Sequence, residues 1–162
     1  MNKKPRDIAV FVDVQNIYYT TKQVFNKNFD YRKFWRNLEA QGNIKCAKAY
    51  AIDRGDSKQL HFQNTLRNIG FDVQLKPFIQ RGDGSAKGDW DVGITIDVIR
   101  IAPNIDKIIL LSGDGDFDLL MKYVMESQRI ETEAFGVKEL SANSLIRSVS
   151  SFTPIDESML IK

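Results

Sequence analysis

The chain has 162 residues, 43% hydrophobic and 27% charged, with a formal net charge of +2 and a pI near 8.6. This is the composition of an ordinary soluble globular protein, long enough to bury about two-thirds of its unfolded surface, and it excludes a disordered chain. So mild a basic excess is not that of a dedicated nucleic-acid binder, and no apolar run approaches the ~20 residues of a membrane span.

Residues 1–7 are basic, but the apolar run after them is too short for a signal peptide and is broken by Asp13. A single cysteine, Cys46, cannot form an internal disulfide, so a reduced, cytoplasmic setting is expected. Ile8 to Val12 is continuously apolar, as in a strand covered on both faces. Helical spacing follows from Ile17 to about Val24 and again from Tyr31 to Ala40, until Gly42 and Asn43 break it. Ile44 to Ile52 reads as the second strand, with Cys46 in its core. Asp56 or Ser57 suits the cap of a helix carrying Phe62, Leu66 and Ile69, which Gly70 closes. Phe71 to Ile79 alternates and then meets Pro77, which predicts an edge strand. Such an edge would let two copies of the chain pair as a homodimer.

Residues 80–88 form the clear flexible loop. Trp90 to Ile101 is helical, with Ile94, Val98 and Ile101 on one stripe, and Pro103 stops it. Lys107 to Leu111 is the next strand, and Phe117, Leu120, Met121 and Val124 mark the next helix. Ile130 to Phe135 gives a strand, Leu140 to Ser148 a short helix, and Ser151 to Ile155 a last strand. Strands alternating with helices predict a single α/β domain over residues 1–162, with a mainly parallel sheet and helices on both faces.

The chemistry concentrates in Leu110-Leu111-Ser112-Gly113-Asp114-Gly115-Asp116-Phe117-Asp118, where three carboxylates follow a buried strand within five residues. Two ionised carboxylates about 4 Å apart repel by roughly 4 kcal/mol at an effective dielectric of about 20, so a cation belongs among them. In a doubly wound sheet this strand and the first one lie side by side where strand order reverses, and their loops open on one crevice. Asp13 ends the first strand on that rim, and Asn16 supplies an uncharged oxygen or amide donor one turn on. Asp91 begins the helix after the loop and can point into the same opening, whereas Asp97 lies about 240° further round that helix.

Oxygen donors of this kind suit Mg²⁺ or Mn²⁺, and His61 alone makes no zinc site. An ion so held activates water for attack on a phosphodiester and offsets charge on the phosphate oxygens. No nucleophile elbow or phosphate loop is present. An aspartate-nucleophile phosphatase would want a second Asp two residues after Asp13, where Gln15 stands. Arg81 and Lys87 in the loop are candidate phosphate contacts. Tyr18, Tyr19, Phe34 and Trp35 could stack on bases, but their helical spacing favours core packing.

Phe11-Val12-Asp13-Val14-Gln15-Asn16, then Lys87-Gly88-Asp89-Trp90-Asp91-Val92 leading to Asp97, then Ser112-Gly113-Asp114-Gly115-Asp116-Phe117, together resemble the NYN domain, in its LabA-like branch, within the PIN-like nuclease superfamily. The match covers residues about 7 to 156. It implies a three-layer α/β/α, Rossmannoid fold and a metal-dependent endoribonuclease site acting on RNA. Asp13, Asp91, Asp114 and Asp116 would be the metal ligands, with Asn16 assisting and Asp97 a weaker member; Asp118 and Ser112 are further weak candidates on the same motif. Many relatives have Gly where Val14 stands and Ser where Gly115 stands. Some carry an appended RNA-binding or helical module, which this sequence lacks, so substrate choice is expected to come from its own surface or from partners. The competing expectation is a non-catalytic regulatory protein that uses the acidic pocket to bind a metal, RNA or nucleotide.

Overall fold

The apolar run near the start of the chain becomes β1 (Arg6–Asp13), whose residues 8–12 are almost wholly buried. A computed structural model describes residues 5–77, 79–80, 86–87 and 89–162, the pairs 79–80 and 86–87 by backbone alone. After β1 come α1 (Val14–Phe25), α2 (Tyr31–Glu39), β2 (Gly42–Asp53), α3 (Ser57–Ile69) and β3 (Asp72–Pro77). A short ribbon of β4 (Ile79–Gln80) and β5 (Ala86–Lys87) leads to α4 (Asp91–Ile101). The chain ends with β6 (Lys107–Leu111), α5 (Asp118–Gln128), β7 (Glu131–Gly136), α6 (Asn143–Ile146) and β8 (Ser151–Pro154).

Six strands form one sheet in the order β3-β2-β1-β6-β7-β8, and every pairing in it is parallel. The chain builds outward from β1 to β3, then returns to lay β6 against the other side of β1 and builds outward again. Val10 is thereby opposite Ala47 on one neighbour and Ile109 on the other. Loops leaving β1 and β6 diverge at this reversal, which opens a crevice at their carboxyl ends.

Alternation along the two central strands divides the core between the two faces. Ile8, Val10 and Val12 with Ile109 and Leu111 face Ile17 of α1, Phe34 and Leu38 of α2, and Leu66 of α3. Ala9 and Phe11 with Ile108 and Leu110 face Ile94 and Val98 of α4, Met121 and Val124 of α5, and Leu145 of α6. The result is the three-layer α/β/α arrangement. Each fully buried Phe, Leu or Ile here contributes about 1.5–3 kcal/mol relative to exposure. Among the described residues, no helix is long and apolar enough to cross a membrane.

Several elements differ from their sequence-predicted form. Helix α1 starts at Val14, three residues before the expected Ile17, because the Asp13 side chain accepts the Asn16 N–H at 3.3 Å and caps the helix there. Thr20 and Thr21 take buried positions on α1 by donating to the carbonyls of Asn16 and Ile17, 2.6 and 2.7 Å away. Tyr18 and Tyr19, expected in the core, are instead 50% and 53% exposed. Phe34 is buried as expected, and Trp35 packs half-buried against Phe71.

The single helix expected from Leu140 to Ser148 is broken into a 3-10 turn at Lys138–Leu140 and the short α6. Ser141 and Ala142 between them are extended, since Ser141 Oγ donates to the Val137 carbonyl and the Ala142 N–H to Gly113 O. Cys46 is half-buried at the edge of the second core cluster. Within residues 80–88, β4 and β5 pair antiparallel; the rest of the expected loop, 81–85 and 88, lies outside the described residues.

Candidate metal centre

Asp13, the last residue of β1, points its carboxylate over the crevice. One oxygen accepts the Asn16 N–H as the α1 cap, and the other accepts Ser112 Oγ–H at 3.1 Å. Ser112 directly follows β6 and is fully buried, and its hydroxyl oxygen in turn accepts the Asp114 N–H at 3.1 Å. Asn16 closes a second link across the reversal, its Oδ1 accepting the Gly113 N–H at 2.9 Å. The loops after β1 and β6 are thus latched together, and Asp13 and Asp114 are held at fixed separation.

Asp114 is positioned by the turn that follows it. Its Oδ1 accepts the Asp116 N–H at 2.9 Å and caps a 3-10 turn at Gly115–Phe117. Below it, a Cβ on Gly113 would lie 2.5 Å from Ser141 Oγ and 3.0 Å from Ser141 Cα, so only glycine lets the loop sit this close to the 138–142 segment. Gly115 is confined the same way: an added Cβ would come within 2.8 Å of Ala142 Cβ.

Asp91 arrives from the opposite face of the sheet. It is the first residue of α4, and the preceding Trp90 anchors that end of the helix by donating its indole N–H to the Ala51 carbonyl at 2.8 Å. The Trp90 ring also packs against Tyr50 and lies under the Lys76 ammonium. Asp89 Oδ1 accepts the Asp91 N–H at 3.2 Å.

These three placements bring one oxygen each of Asp13, Asp91 and Asp114 within 4.8 Å of one another. No ion pair among the described residues involves any of the three. Burial pushes the Asp13 carboxyl above its ordinary range, with the charges of Asp114 and Asp89 adding to the push, while its bonds from Asn16 and Ser112 oppose it. Asp91 is pushed up to about 7, first by desolvation and then by the charges of Asp114, Asp89 and Asp13 and a hydrogen bond with Asp116. Burial, and then the charge of Asp13, hold the Tyr31 phenol in the core above its usual value. Three carboxylates without an ion-pair partner among the described residues suit a hard divalent cation.

The other sequence-predicted residues divide. Asp116 is exposed and stands against Asp91, outside the group of three. Asp97 is not brought to the site: its carboxylate accepts the Tyr50 hydroxyl at 2.7 Å and pairs with Lys48 at 3.5 Å, as its position on the far side of the helix requires. Asp118 accepts the N–H of its neighbour Leu119 in the first turn of α5. Ser112 and Asn16 lie at the centre as positioning groups. Arg81, and the side chain of Lys87, lie outside the described residues. Sequence reasoning missed Asp89, Trp90 and the brace at Ser141 and Ala142; the first two stand beside Asp91 in the motif and could have been read with it. Two surface concavities, one lined by Phe25, Lys138 and Pro154 and one between α2 and β7, share no residue with the acidic cluster.

Among known proteins, the NYN domain family profile matches residues 7–156. The chain is 26% identical over 149 residues to the low amplitude and bright protein LabA of Synechococcus elongatus, a match covering 85% of this chain and 80% of that one. The crystal structure of a protein of unknown function from Vibrio parahaemolyticus superposes with a TM-score of 0.93 at 46% identity, covering 99% of each chain. A ribokinase from Giardia lamblia superposes at 0.51 with 10% identity over 93% of this chain and 58% of its own, a likeness of fold alone.

Proposed function

This chain belongs to the NYN domain family, within the PIN-like nuclease superfamily, and we propose that it is a metal-dependent endoribonuclease that hydrolyses RNA phosphodiester bonds at the acidic cluster. The observation that carries this reading is the meeting of Asp13, Asp91 and Asp114, from three distant segments, within 4.8 Å. In this reading they hold Mg²⁺ or Mn²⁺, and Asp116 acts from the exposed side of Asp91. When bound, the ion supplies the two things the side chains cannot: a water acidified near neutral pH and positive charge against the phosphate oxygens.

The chain's own residues prepare that chemistry. Ser112 and the first turn of α1 fix the Asp13 carboxylate, and the Gly113–Ser141 contact fixes Asp114. Asn16 spends its oxygen on Gly113 and so keeps its amide NH₂ as the donor for a phosphate oxygen. Three helical N-termini, at Val14, Asp91 and Gly115, converge here, and their partial positive charge eases the crowding of carboxylates and favours an anionic substrate. Arg81 and Lys87 are assigned to the phosphate backbone from the sequence.

Incubating the protein with end-labelled RNA and Mn²⁺, beside the Asp13→Asn and Asp114→Asn variants, tests the reading. Cleavage by the wild type that both variants lose supports it. Mn²⁺ binding without any cleavage would assign the pocket to a non-catalytic, regulatory role instead.

A further inference from the structure

Helix α1 carries two consecutive tyrosines, Tyr18 and Tyr19, on its outer surface, 50% and 53% exposed, while Ile17, Thr20 and Thr21 occupy the buried face. Neither burial nor helix formation accounts for them, since Lys, Glu or Gln would serve an exposed helix position better. Their rings meet edge to face, 5.4 Å between centroids at 76°, an arrangement that cannot cover both faces of either ring. Helical side chains lean toward the N-terminus, so these rings lie over the first turn of α1, the turn capped by Asp13. Tyr19 stands six residues beyond Asp13, about 9 Å of helix rise. Arg54, exposed just beyond the carboxyl end of β2, places its guanidinium 3.5 Å from the Tyr19 hydroxyl. Flat aromatic faces and a cation therefore stand together on the β2 side of the acidic cluster.

We propose that Tyr18, Tyr19 and Arg54 form a subsite that stacks the unpaired bases of single-stranded RNA flanking the phosphate at the acidic cluster. The RNA in this statement rests on the ribonuclease reading. Every base offers a π-face, so such a platform is tolerant of sequence, and it admits only strands whose bases are not already paired. Arg54 contacts the adjoining phosphate or stacks in its own right. The subsite gives a chain of low net charge a way to select its substrate by strandedness.

Fluorescence anisotropy with a labelled, unstructured oligoribonucleotide and its duplex reads binding without reference to cleavage. The Asp114→Asn background keeps the RNA intact in Mn²⁺. Tyr19→Ala is expected to weaken single-strand binding roughly tenfold to a hundredfold, Tyr19→Trp to restore it with quenching of the new indole, and the duplex to be indifferent to both. Arg54→Gln should lower the slope of log affinity against log salt by about 0.7, one phosphate's share. Equal single-strand affinity in wild type and Tyr19→Ala, with circular dichroism showing both folded, would overturn the subsite even if cleavage is metal-dependent as proposed. Tyr19-dependent single-strand binding by a protein that never cuts RNA would uphold the subsite and remove the nuclease reading.

Discussion

Asp91 makes the apo protein's stability depend on pH in the direction opposite to that of an aspartate held by a salt bridge. In the folded chain its carboxyl keeps its proton up to about pH 7, because desolvation and the neighbouring Asp114, Asp89 and Asp13 disfavour the charged form. In the unfolded chain it loses that proton near 3.8. Between these values the folded state binds more protons, so its stability is greatest below about pH 4 and declines as pH rises to about 7. At 1.36 kcal/mol per pH unit the full displacement would amount to about 4 kcal/mol. Asp91 is partly solvated, which screens the effect and leaves about 1–2 kcal/mol. Urea unfolding in EDTA from pH 4 to pH 8 should show this decline, and Asp91→Asn should flatten it while raising stability at pH 7.5. Adding Mn²⁺ at about a hundred times its dissociation constant should return about 2.7 kcal/mol to the wild type at pH 7.5, and much less to the variant. An equal pH slope in wild type and Asp91→Asn would refute the electrostatic account, and with it the case that these acids need a cation.

Asp114→Asn should reduce Mn²⁺-dependent RNA cleavage by at least about a hundredfold while leaving the thermal midpoint in EDTA unchanged or raised, since one like charge is removed; cleavage assays and calorimetry check both halves. Trp90→Phe removes the indole donor to the Ala51 carbonyl and should cost about 1 kcal/mol of stability. Calorimetric titration should also show weaker Mn²⁺ binding in that variant, because the amino end of α4 loses its anchor. Gly113→Ala forces a methyl to within 2.5 Å of Ser141 Oγ and should destabilise by about 1–3 kcal/mol in urea. Pairing it with Ser141→Gly should recover part of that loss, and full independence of the two changes would show that the brace does not hold the loop.

Much of this site was legible because two of its acids sit where apolar runs end. Asp13 and Asp114 follow strands whose residues are continuously buried, so their place at a sheet rim follows from pattern alone, as does the position of Asp97 on the wrong side of α4. The tyrosines of α1 were misread for a specific reason: threonines stand on its buried face, with hydroxyls satisfied by carbonyls one turn back, and a hydrophobicity pattern counts such positions as polar. The break at Ser141 and Ala142 was equally hidden, because it answers to Gly113 in the loop after β6.

Local pattern therefore determined the six strands of the sheet, the longer helices, the two-sided core and the acidic character of one rim, since each depends on residues within a few positions of one another. Only the folded chain decided which acids meet. Asp91 reaches Asp13 and Asp114 because an indole hydrogen bond to β2 pins the start of α4, and Asp116 is turned outward by the same 3-10 turn that aims Asp114 inward. Fractions of an ångström between side chains far apart in sequence settle whether carboxylates can share an ion, and the periodicity of a sequence carries no measure of that distance.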